Sequence, residues 1–296
     1  ILFKTAFSDI GSIKDKWLIF QLKRFVDKRS VDEIFEMENV STQNFLKSFG
    51  FSKTIIDRFF KPFFGGIFLE KELSTSSRKF LFVFKMFSGG NAAIPKSGIG
   101  AIARYLEAQL TNVSFNYKSE VSKIDQQTIH FENGPSESFD YVINTIPNYV
   151  NRKDLDKWQG CYNLYFEHPS PAKIKQARIG LNANENRLIN NVFYPSIHQD
   201  IMGKKGKSLI SVTVLDAKGL NEKELVEKVK EELRTDFGIQ DEKLIKVYHI
   251  PYSLAKNTAP VNKVTFDDSA KTFEAGDFIL NGSQNAACKA GEMEKI

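Results

Sequence analysis

The sequence has few cysteines and no long apolar run. Its 296 residues include only two cysteines, Cys161 and Cys288, which lie far apart and outside any C-x-x-C pattern. That usage argues against a disulfide framework or a cysteine-rich zinc site and favours a reducing compartment, so we expect a cytoplasmic protein. No stretch approaches the roughly 20 apolar residues that cross a bilayer. Any membrane contact is therefore expected to be peripheral at most.

Groupings that carry metal or hydrolytic chemistry are also missing. The four histidines show no ligand spacing, so we predict no metal site. No Ser-His-Asp grouping can be defended either, so the sequence gives no hydrolytic triad. The net charge of +5 is modest and Lys and Glu are interspersed, which gives no reason to expect a nucleic-acid partner.

The composition is that of a globular chain. Hydrophobic residues make up 42% and charged residues 26%, and the length allows two domains. Phenylalanine is abundant, with 26 residues against four methionines. Much of this phenylalanine must form core, and the excess also suits a large apolar cavity. Composition does not separate these two interpretations.

The first 90 residues have helical patterns. Ser12 and Asp15 fit a capping-box variant, and the helix that follows has its apolar face at Leu18, Ile19, Leu22, Phe25 and Val26. Its basic residues lie mostly elsewhere, which fits either a solvated face of a core-packed helix or a helix that touches a membrane surface. Further helices follow Ser41 and Ser52, and an aromatic helix runs over residues 79–87. Between them, Pro62 and the pair Gly65-Gly66 predict a turn.

Strand patterns dominate the middle of the chain. Alternation predicts strands over 113–117, 119–124 and 127–131, and a buried-type strand over 140–147. Strands also fit 161–166, 187–193, 208–214 and 246–252, with a helix whose apolar stripe runs from Leu225 to Phe237 and stops at Gly238. Tyr252 could face a substrate, or it could simply be packed.

The most informative stretch lies near the end of the chain, at residues 275–292. Gly276 has no Cβ, so a backbone or ligand can approach it closely. Asp277 places a carboxylate at a turn, where it can accept hydrogen bonds from a polyol. A helix begins near Gly282 and Ser283, with Ser283 as the N-cap, and its free N–H groups favour an electron-rich ligand group.

This stretch resembles the C-terminal motif of the FAD-dependent amine oxidase and phytoene desaturase-like oxidoreductases. In that family the motif runs G-D, a short spacer, G-S-x-N/x-A and a closing S/A-G. The resemblance implies that Asp277 binds the ribityl and pyrophosphate part of FAD. It also implies that the backbone around Ser283, Gln284 and Asn285 faces the pyrimidine edge of the flavin ring. Gly276 and Gly282 belong to the same motif.

Three other segments fit the family's order of motifs. Pro95 and Gly98 match a segment that runs beside the flavin, although they could equally form a plain loop before a helix. Val121 matches a valine whose main chain contacts adenine. Thr145 and Pro147 fall where a strand end meets the cofactor. As lone residues, Val121 and Thr145 would be ordinary strand residues.

The resemblance implies an α/β fold with a discontinuous, Rossmann-like FAD/NAD(P)-binding domain and an α+β substrate domain. Residues 91–150 and 265–296 belong to the FAD domain, and residues 1–90 and 151–264 to the substrate domain. No G-x-G-x-x-G pattern follows an N-terminal strand, so we expect a preceding segment of about a hundred residues that this chain lacks. Lys271-Thr272-Phe273-Glu274 is a poor buried strand, so we also expect missing residues between Glu274 and Ala275.

The function implied is a flavin-dependent oxidoreductase that takes a hydride from a C–N or C–C bond. Amine, polyene and porphyrinogen substrates all stay open. Because the flavin carries the chemistry, no catalytic acid or base is assigned. Two alternatives are a flavin-dependent isomerase without net oxidation and a non-catalytic protein on a decayed flavin fold.

Overall fold

A computed structural model describes most of the chain. The described residues are 10–89, 93–146, 158–171, 178–184, 186–195, 206–256, 258–263 and 271–293.

The described elements mix helix and sheet, which is consistent with the predicted α/β class. The α-helices are α1 (Ile13–Asp27), α2 (Val31–Glu36), α3 (Thr42–Phe49), α4 (Lys53–Ile55), α5 (Lys61–Phe68), α6 (Ser77–Gly89), α7 (Gly100–Gln109), α8 (Glu222–Phe237) and α9 (Gln284–Met293). The strands are β1 (Val121–Asp125), β2 (Thr128–Phe131), β3 (Glu137–Ser138), β4 (Val142–Asn144), β5 (Trp158–His168), β6 (Gly180–Leu181), β7 (Ile189–Phe193), β8 (Ser208–Val214), β9 (Lys243–Ala255) and β10 (Thr272–Glu274). A π-helical turn (Ile56–Phe60) joins α4 to α5, and a 3-10 turn (Asp277–Ile279) follows β10.

The chain divides into two compact units. The first joins Ile1–Ser88 to Tyr149–Pro260, and the second joins Gly89–Asn148 to Val261–Ile296. Each unit is therefore built from two separate stretches of chain. Among the described residues, no helix has both the length and the apolar character needed to cross a membrane.

The helical part of the first unit forms around a phenylalanine-rich core. The prediction that this region is helical is confirmed, and so is the capping box at α1, where the Ser12 hydroxyl accepts a bond from the Asp15 N–H at 3.1 Å. Each large apolar side chain that is fully buried contributes about 1.5–3 kcal/mol to stability. The buried phenylalanines are Phe35, Phe51, Phe60, Phe64, Phe68, Phe80 and Phe82.

The prediction of a turn at Pro62 and Gly65-Gly66 is wrong. Pro62 lies in the first turn of α5, where its missing N–H is not needed. The two glycines continue the helix, and close packing leaves no room for a side chain at either position. A Cβ on Gly65 would lie 2.6 Å from the carbonyl oxygen of Glu70, and one on Gly66 would lie 2.5 Å from the amide nitrogen of Asn190.

The sheet part of the first unit has five antiparallel strands in the order β6-β7-β8-β5-β9. Alternate residues of β5 and β8 point to one face, where they pack with the apolar stripe of α8. That helix begins at a capping box formed by Asn221 and Glu224 and ends at Gly238, which adopts the left-handed conformation. The predicted strands and helix of this region are confirmed, with small changes in their ends.

A buried carboxylate joins α8 to the start of β7. Glu232 is 6% exposed and accepts hydrogen bonds from the backbone N–H groups of Leu188 and Ile189, at 2.9–3.1 Å. These donors lie at the beginning of a strand, where one of them has no strand partner of its own. The carboxylate therefore satisfies buried polar groups that would otherwise be unpaired.

The second unit holds a three-stranded antiparallel sheet, β1-β2-β3, and a parallel pair, β10-β4. The strands predicted over 119–124 and 127–131 are confirmed as β1 and β2, which pair with each other in antiparallel orientation. The prediction of a strand over 113–117 is wrong, because those residues are exposed and pair with no strand in the described part. The strand predicted over 140–147 is shorter, at Val142–Asn144, and Pro147 lies outside the described residues.

The expectation of missing residues between Glu274 and Ala275 is also wrong. Residues 272–274 form β10 and pair in register with Val142–Asn144. The ladder continues without a break, since the Ala275 N–H donates to the carbonyl oxygen of Asn144 at 3.0 Å. Pairing with β4 makes a strand of a segment whose own sequence is only weakly strand-like.

Candidate functional site

The parallel pair brings two predicted site segments together. Thr145 directly follows β4, and Gly276 and Asp277 follow β10 after one residue. Because the two strands run in the same direction and in register, both segments leave the same edge of the pair. In α/β folds the carboxyl ends of parallel strands form the crevice in which ligands bind.

The turn after β10 is fixed by its own backbone. The carbonyl oxygen of Asp277 accepts hydrogen bonds from the N–H groups of Leu280, at 3.2 Å, and Gly282, at 2.9 Å. Gly282 has a φ of +68°, in the left-handed region that glycine adopts without strain. A Cβ on Gly276 would lie 2.5 Å from the Phe278 ring, so only glycine fits there without displacing the ring.

The helix that follows begins as predicted. The Ser283 hydroxyl accepts a bond from the Ala286 N–H at 3.1 Å and donates to the Asn281 side chain at 2.7 Å. The backbone N–H groups of Gln284 and Asn285 find no acceptor within the described residues. They lie at the positive end of the helix dipole, where an electron-rich group is stabilised.

Small residues hold this helix close to the turn. Ala286 and Ala290 are fully buried and pack with Ala275 and Leu280. Because alanine projects little from the helix, the N-terminus of α9 is held near the end of β10. The spacing of alanines along α9 therefore serves the positioning of its first turn.

Asp277 is the charged group at this edge. It is half-buried, and its carboxylate has no hydrogen-bond or ion-pair partner within the part of the chain that the structure describes. An ionised carboxylate has only acceptor oxygens, so this group is open to hydrogen bonds from a ligand's hydroxyl groups. The free acceptor and the free N–H groups of α9 lie within one short stretch of chain.

Two asparagines at this edge were not predicted. The Asn144 side chain accepts a bond from the Ile146 N–H at 3.0 Å, so it shapes the segment that contains Thr145. Asn281 is fully buried and donates to the side chain of Asn262 at 3.3 Å. The dipeptide Asn281-Gly282 is a turn signal, so the sequence could have indicated the turn before α9 in which Asn281 lies.

The other predicted residues lie in separate places within the second unit. Pro95 and Gly98 form a turn before α7, in which the Gly98 N–H donates to the Pro95 carbonyl oxygen at 2.9 Å and Gly98 has a φ of +79°. Val121 begins β1 and is exposed, opposite Phe131. The turn after β1 reaches β10, since the Thr272 hydroxyl donates to the carbonyl oxygen of Gln126 at 2.7 Å. Contact of these residues with a cofactor stays a prediction.

The first unit contributes an open apolar surface of its own. The face of the five-stranded sheet that points away from α8 carries a shallow depression of about 500 Å³. Tyr165 and Tyr248 meet edge to face there, with ring centroids 5.9 Å apart. The depression is lined by Asn163, Tyr165, Leu209, Ile245, Lys246, Tyr248 and Ile250. Tyr252 is packed against Trp158, at a ring distance of 5.8 Å.

Comparison with known proteins decides the family. The model of the flavin containing amine oxidoreductases matches residues 35–277, which is most of the chain. The chain belongs to this family. The predicted resemblance is therefore confirmed, and with it the prediction of FAD as cofactor. No curated protein sequence matches the chain.

Solved structures of this flavoprotein fold agree at low sequence identity. An oxidoreductase from Methanosarcina mazei is 18% identical with a TM-score of 0.71, over 98% of this chain and 74% of that one. A fatty acid isomerase from P. acnes, which produces CLA, is 16% identical with a TM-score of 0.65, over 96% and 74%. A cofactor-binding triple mutant of putrescine oxidase is 13% identical with a TM-score of 0.60, over 97% and 76%. At these identities the likeness shows the fold.

The residues at the strand edge fit a flavin. Asp277 offers a free carboxylate for hydroxyl groups, and the N–H groups of Gln284 and Asn285 offer donors for an electron-rich ring edge. Gly276 leaves the backbone uncovered by any side chain of its own. The donor and acceptor set therefore matches the chemistry of FAD, although each contact with it is a proposal.

Proposed function

We propose that the protein is an FAD-dependent oxidoreductase that takes a hydride from a C–N or C–C bond of a small-molecule substrate. When bound, FAD supplies the hydride acceptor. The single observation that carries the proposal is the free, half-buried carboxylate of Asp277 beside the N-terminus of α9. Within this family, that combination of acceptor and donors serves the cofactor.

The chain's own residues hold the cofactor. Asp277 accepts hydrogen bonds from its hydroxyl groups, and the N–H groups of Gln284 and Asn285 donate to its electron-rich edge. Thr145 borders it at the end of β4, Val121 meets adenine through its main chain, and the turn at Pro95 and Gly98 lies along the ring.

The two domains have different proposed roles. The parallel pair β4 and β10 belongs to a discontinuous Rossmann-like FAD domain made of 91–150 and 265–296. Residues 1–90 and 151–264 form the substrate domain. The basis for this division is the order of motifs and the position of Asp277 after β10.

The substrate is apolar and either neutral or anionic. Of the seven residues that line the depression on the open sheet face, none is a carboxylate, and one is Lys246, whose ammonium lies 5.9 Å from the Tyr248 ring centroid. An amine cation would have no counter-charge there and would face a like charge. A polyene, a fatty acid or a porphyrinogen suits this surface better than a polyamine.

A second candidate is isomerisation without net oxidation. The observation in its favour is the fold shared with a fatty acid isomerase, while the apolar, carboxylate-free surface suits both candidates. The two candidates need the same cofactor site and differ in whether turnover consumes an electron acceptor.

The test is a visible absorption spectrum of the purified protein, with the released chromophore identified by mass. Bound FAD is the expected result. Apolar acids, polyenes and amines are then added without oxygen. Bleaching of the flavin by an apolar substrate supports oxidation. Product formation without bleaching supports isomerisation. A protein that cannot be reconstituted with FAD would overturn both candidates.

A further inference from the structure

Helix α1 carries apolar residues on two faces. The inner face packs in the core through Leu18, Leu22 and Val26, as the sequence pattern predicts. The outer face carries a second set, which no core residue covers. Ile13, Trp17 and Phe20 are 84%, 57% and 53% exposed.

These three residues form one continuous stripe. Positions 13, 17 and 20 are spaced at i, i+4 and i+7, which places them above one another on a single helix face. Arg24 extends the same line, with its guanidinium 5.8 Å from the centroid of the Phe20 ring. We define the outward stripe as Ile13, Trp17 and Phe20. It places a tryptophan and a phenylalanine at positions that solvent can reach.

Basic residues border the outward stripe on both sides. At 100° per residue, Lys14 and Lys28 lie along one edge, and Lys16 and Lys23 lie along the other. Of the acids of the helix, Asp15 is buried, and Asp27 is paired with Lys23 at 2.6 Å. The charges of Asp27 and Lys23 cancel, so the net positive charge at the edges comes from Lys14, Lys16 and Lys28. The stripe is therefore apolar along its centre and positive at its edges.

This arrangement has the properties of a helix that lies in a membrane interface. Such helices bury aromatic and aliphatic residues just below the lipid headgroups while lysines remain at the level of anionic phosphates. The helix has 15 residues and a length of about 22 Å, too short to span the bilayer. Its inner face is held by the core of the first unit, and the outer face, which the described residues leave exposed, can contact a flat surface.

We propose that the outward stripe of α1 docks the protein on membranes that contain anionic lipid. The complementary charge favours this occupant over a second copy of the chain, because two such faces would bring like charges together. The inference does not depend on the reaction, although an apolar substrate dissolved in a membrane would be reached directly from such a surface.

The protein offers its own probe. The chain has two tryptophans, Trp17 and Trp158, so Trp158→Phe leaves emission from Trp17 alone. Vesicles of phosphatidylcholine with phosphatidylserine should shift this emission to shorter wavelength and protect it from acrylamide. Vesicles of phosphatidylcholine alone should do neither, and high salt should reverse the shift.

Variants separate the stripe from its edges. Replacing Lys14 and Lys28 by glutamine should weaken binding to the anionic vesicles roughly 25-fold, since each lysine near such a surface contributes about a factor of five. Phe20→Glu should abolish binding. Ile179→Glu, at a residue of the same unit that is 52% exposed, should bind as the parent does. Far-ultraviolet circular dichroism confirms that each variant is folded, and the lysine variant keeps the test valid if Phe20→Glu is not.

Three results would overturn the proposal. Equal binding to neutral and anionic vesicles would show that anionic lipid is not what the stripe recognises. No response of Trp17 to either kind of vesicle would remove the membrane as occupant. Protection of Trp17 from acrylamide before any vesicle is added would show that another part of the protein or a second copy covers the stripe. Dependence of that protection on protein concentration would identify the second copy.

Discussion

The N–H of Ala275 donates to the carbonyl oxygen of Asn144 at 3.0 Å. This bond continues the parallel ladder past the last residues of β4 and β10. It fixes the point at which the two segments leave the strand pair, so that Thr145 and the Gly276-Asp277 pair lie next to each other at its carboxyl end. The candidate cofactor site depends on this register.

Replacing Gly276 by alanine should lower both stability and flavin content. The new Cβ would lie 2.5 Å and 2.8 Å from two atoms of the Phe278 ring, and relieving such overpacking costs about 1–3 kcal/mol. Flavin absorbance per protein and a urea unfolding curve measure the two effects. Gly291→Ala is the matched control, because its Cβ would meet nothing within 4 Å and the change in a helix should stabilise by about 0.5–1 kcal/mol. Equal behaviour of the two variants would contradict the prediction.

Replacing Asp277 by asparagine should weaken FAD binding without unfolding the protein. Hydrogen bonds to a charged acceptor are worth about 1.5–3 kcal/mol, so we expect a loss of roughly 10- to 150-fold in affinity by titration of the apoprotein. The melting temperature of the apoprotein should stay unchanged, because the carboxylate has no partner in the described part of the protein. Unaltered FAD affinity would exclude Asp277 from the cofactor site.

Replacing Glu232 by alanine should destabilise the sheet part of the first unit. The change leaves the buried N–H groups of Leu188 and Ile189 without their acceptor, at about 1–3 kcal/mol each. Urea unfolding should therefore show a loss of about 2–6 kcal/mol. Glu231→Ala, an exposed neighbour on the same helix, should stay within about 0.5 kcal/mol of the parent. A small effect at Glu232 would mean that water replaces the carboxylate.

Asp15 should contribute stability that depends on pH. Burial by itself would raise its pKa, but hydrogen bonds from Ser12 and Ser52 to the carboxylate outweigh burial, and the net pKa is lowered. The lowered pKa means that the stabilisation is present above the unfolded value of about 3.9 and is lost as the pH falls through the lower folded value.

Asp15→Asn tests this directly. At pH 7 the variant should be less stable than the parent by about 2 kcal/mol, because charge-assisted bonds from two serines are lost. The difference should shrink as unfolding is measured toward a pH of about 3. Asp27→Asn, which removes an exposed pair with Lys23, should change stability by less than about 1 kcal/mol. A pH-independent difference would show that packing, not charge, is responsible.

Much of the local structure could be predicted because its causes are local. Ser12, Asn221 and Ser283 cap helices through bonds that span three residues, and Gly238 ends a helix through its own backbone freedom. The motif around Asp277 is one continuous stretch, so the amino-acid order alone carries its resemblance to a flavin site. The predictions that failed concern segments whose structure depends on residues distant in sequence. Residues 113–117 alternate in polarity but have no partner strand in the described part of the chain. Residues 272–274 form a strand because β4 pairs with them.

The sequence by itself therefore determined the family and the flavin, and it supplied the residues that we propose for the cofactor site, since short spacings specify caps, turns and the motif. The tertiary structure decided which of those residues meet. The tertiary structure sets the register that joins Asn144 to Ala275, and it packs Gly66 against Asn190 in a helix that the glycine pair did not predict. It also determines which face of α1 is buried in the core, so that Trp17 lies on the exposed face. These outcomes rest on contacts between distant segments, and no local pattern encodes the partner that each segment finds.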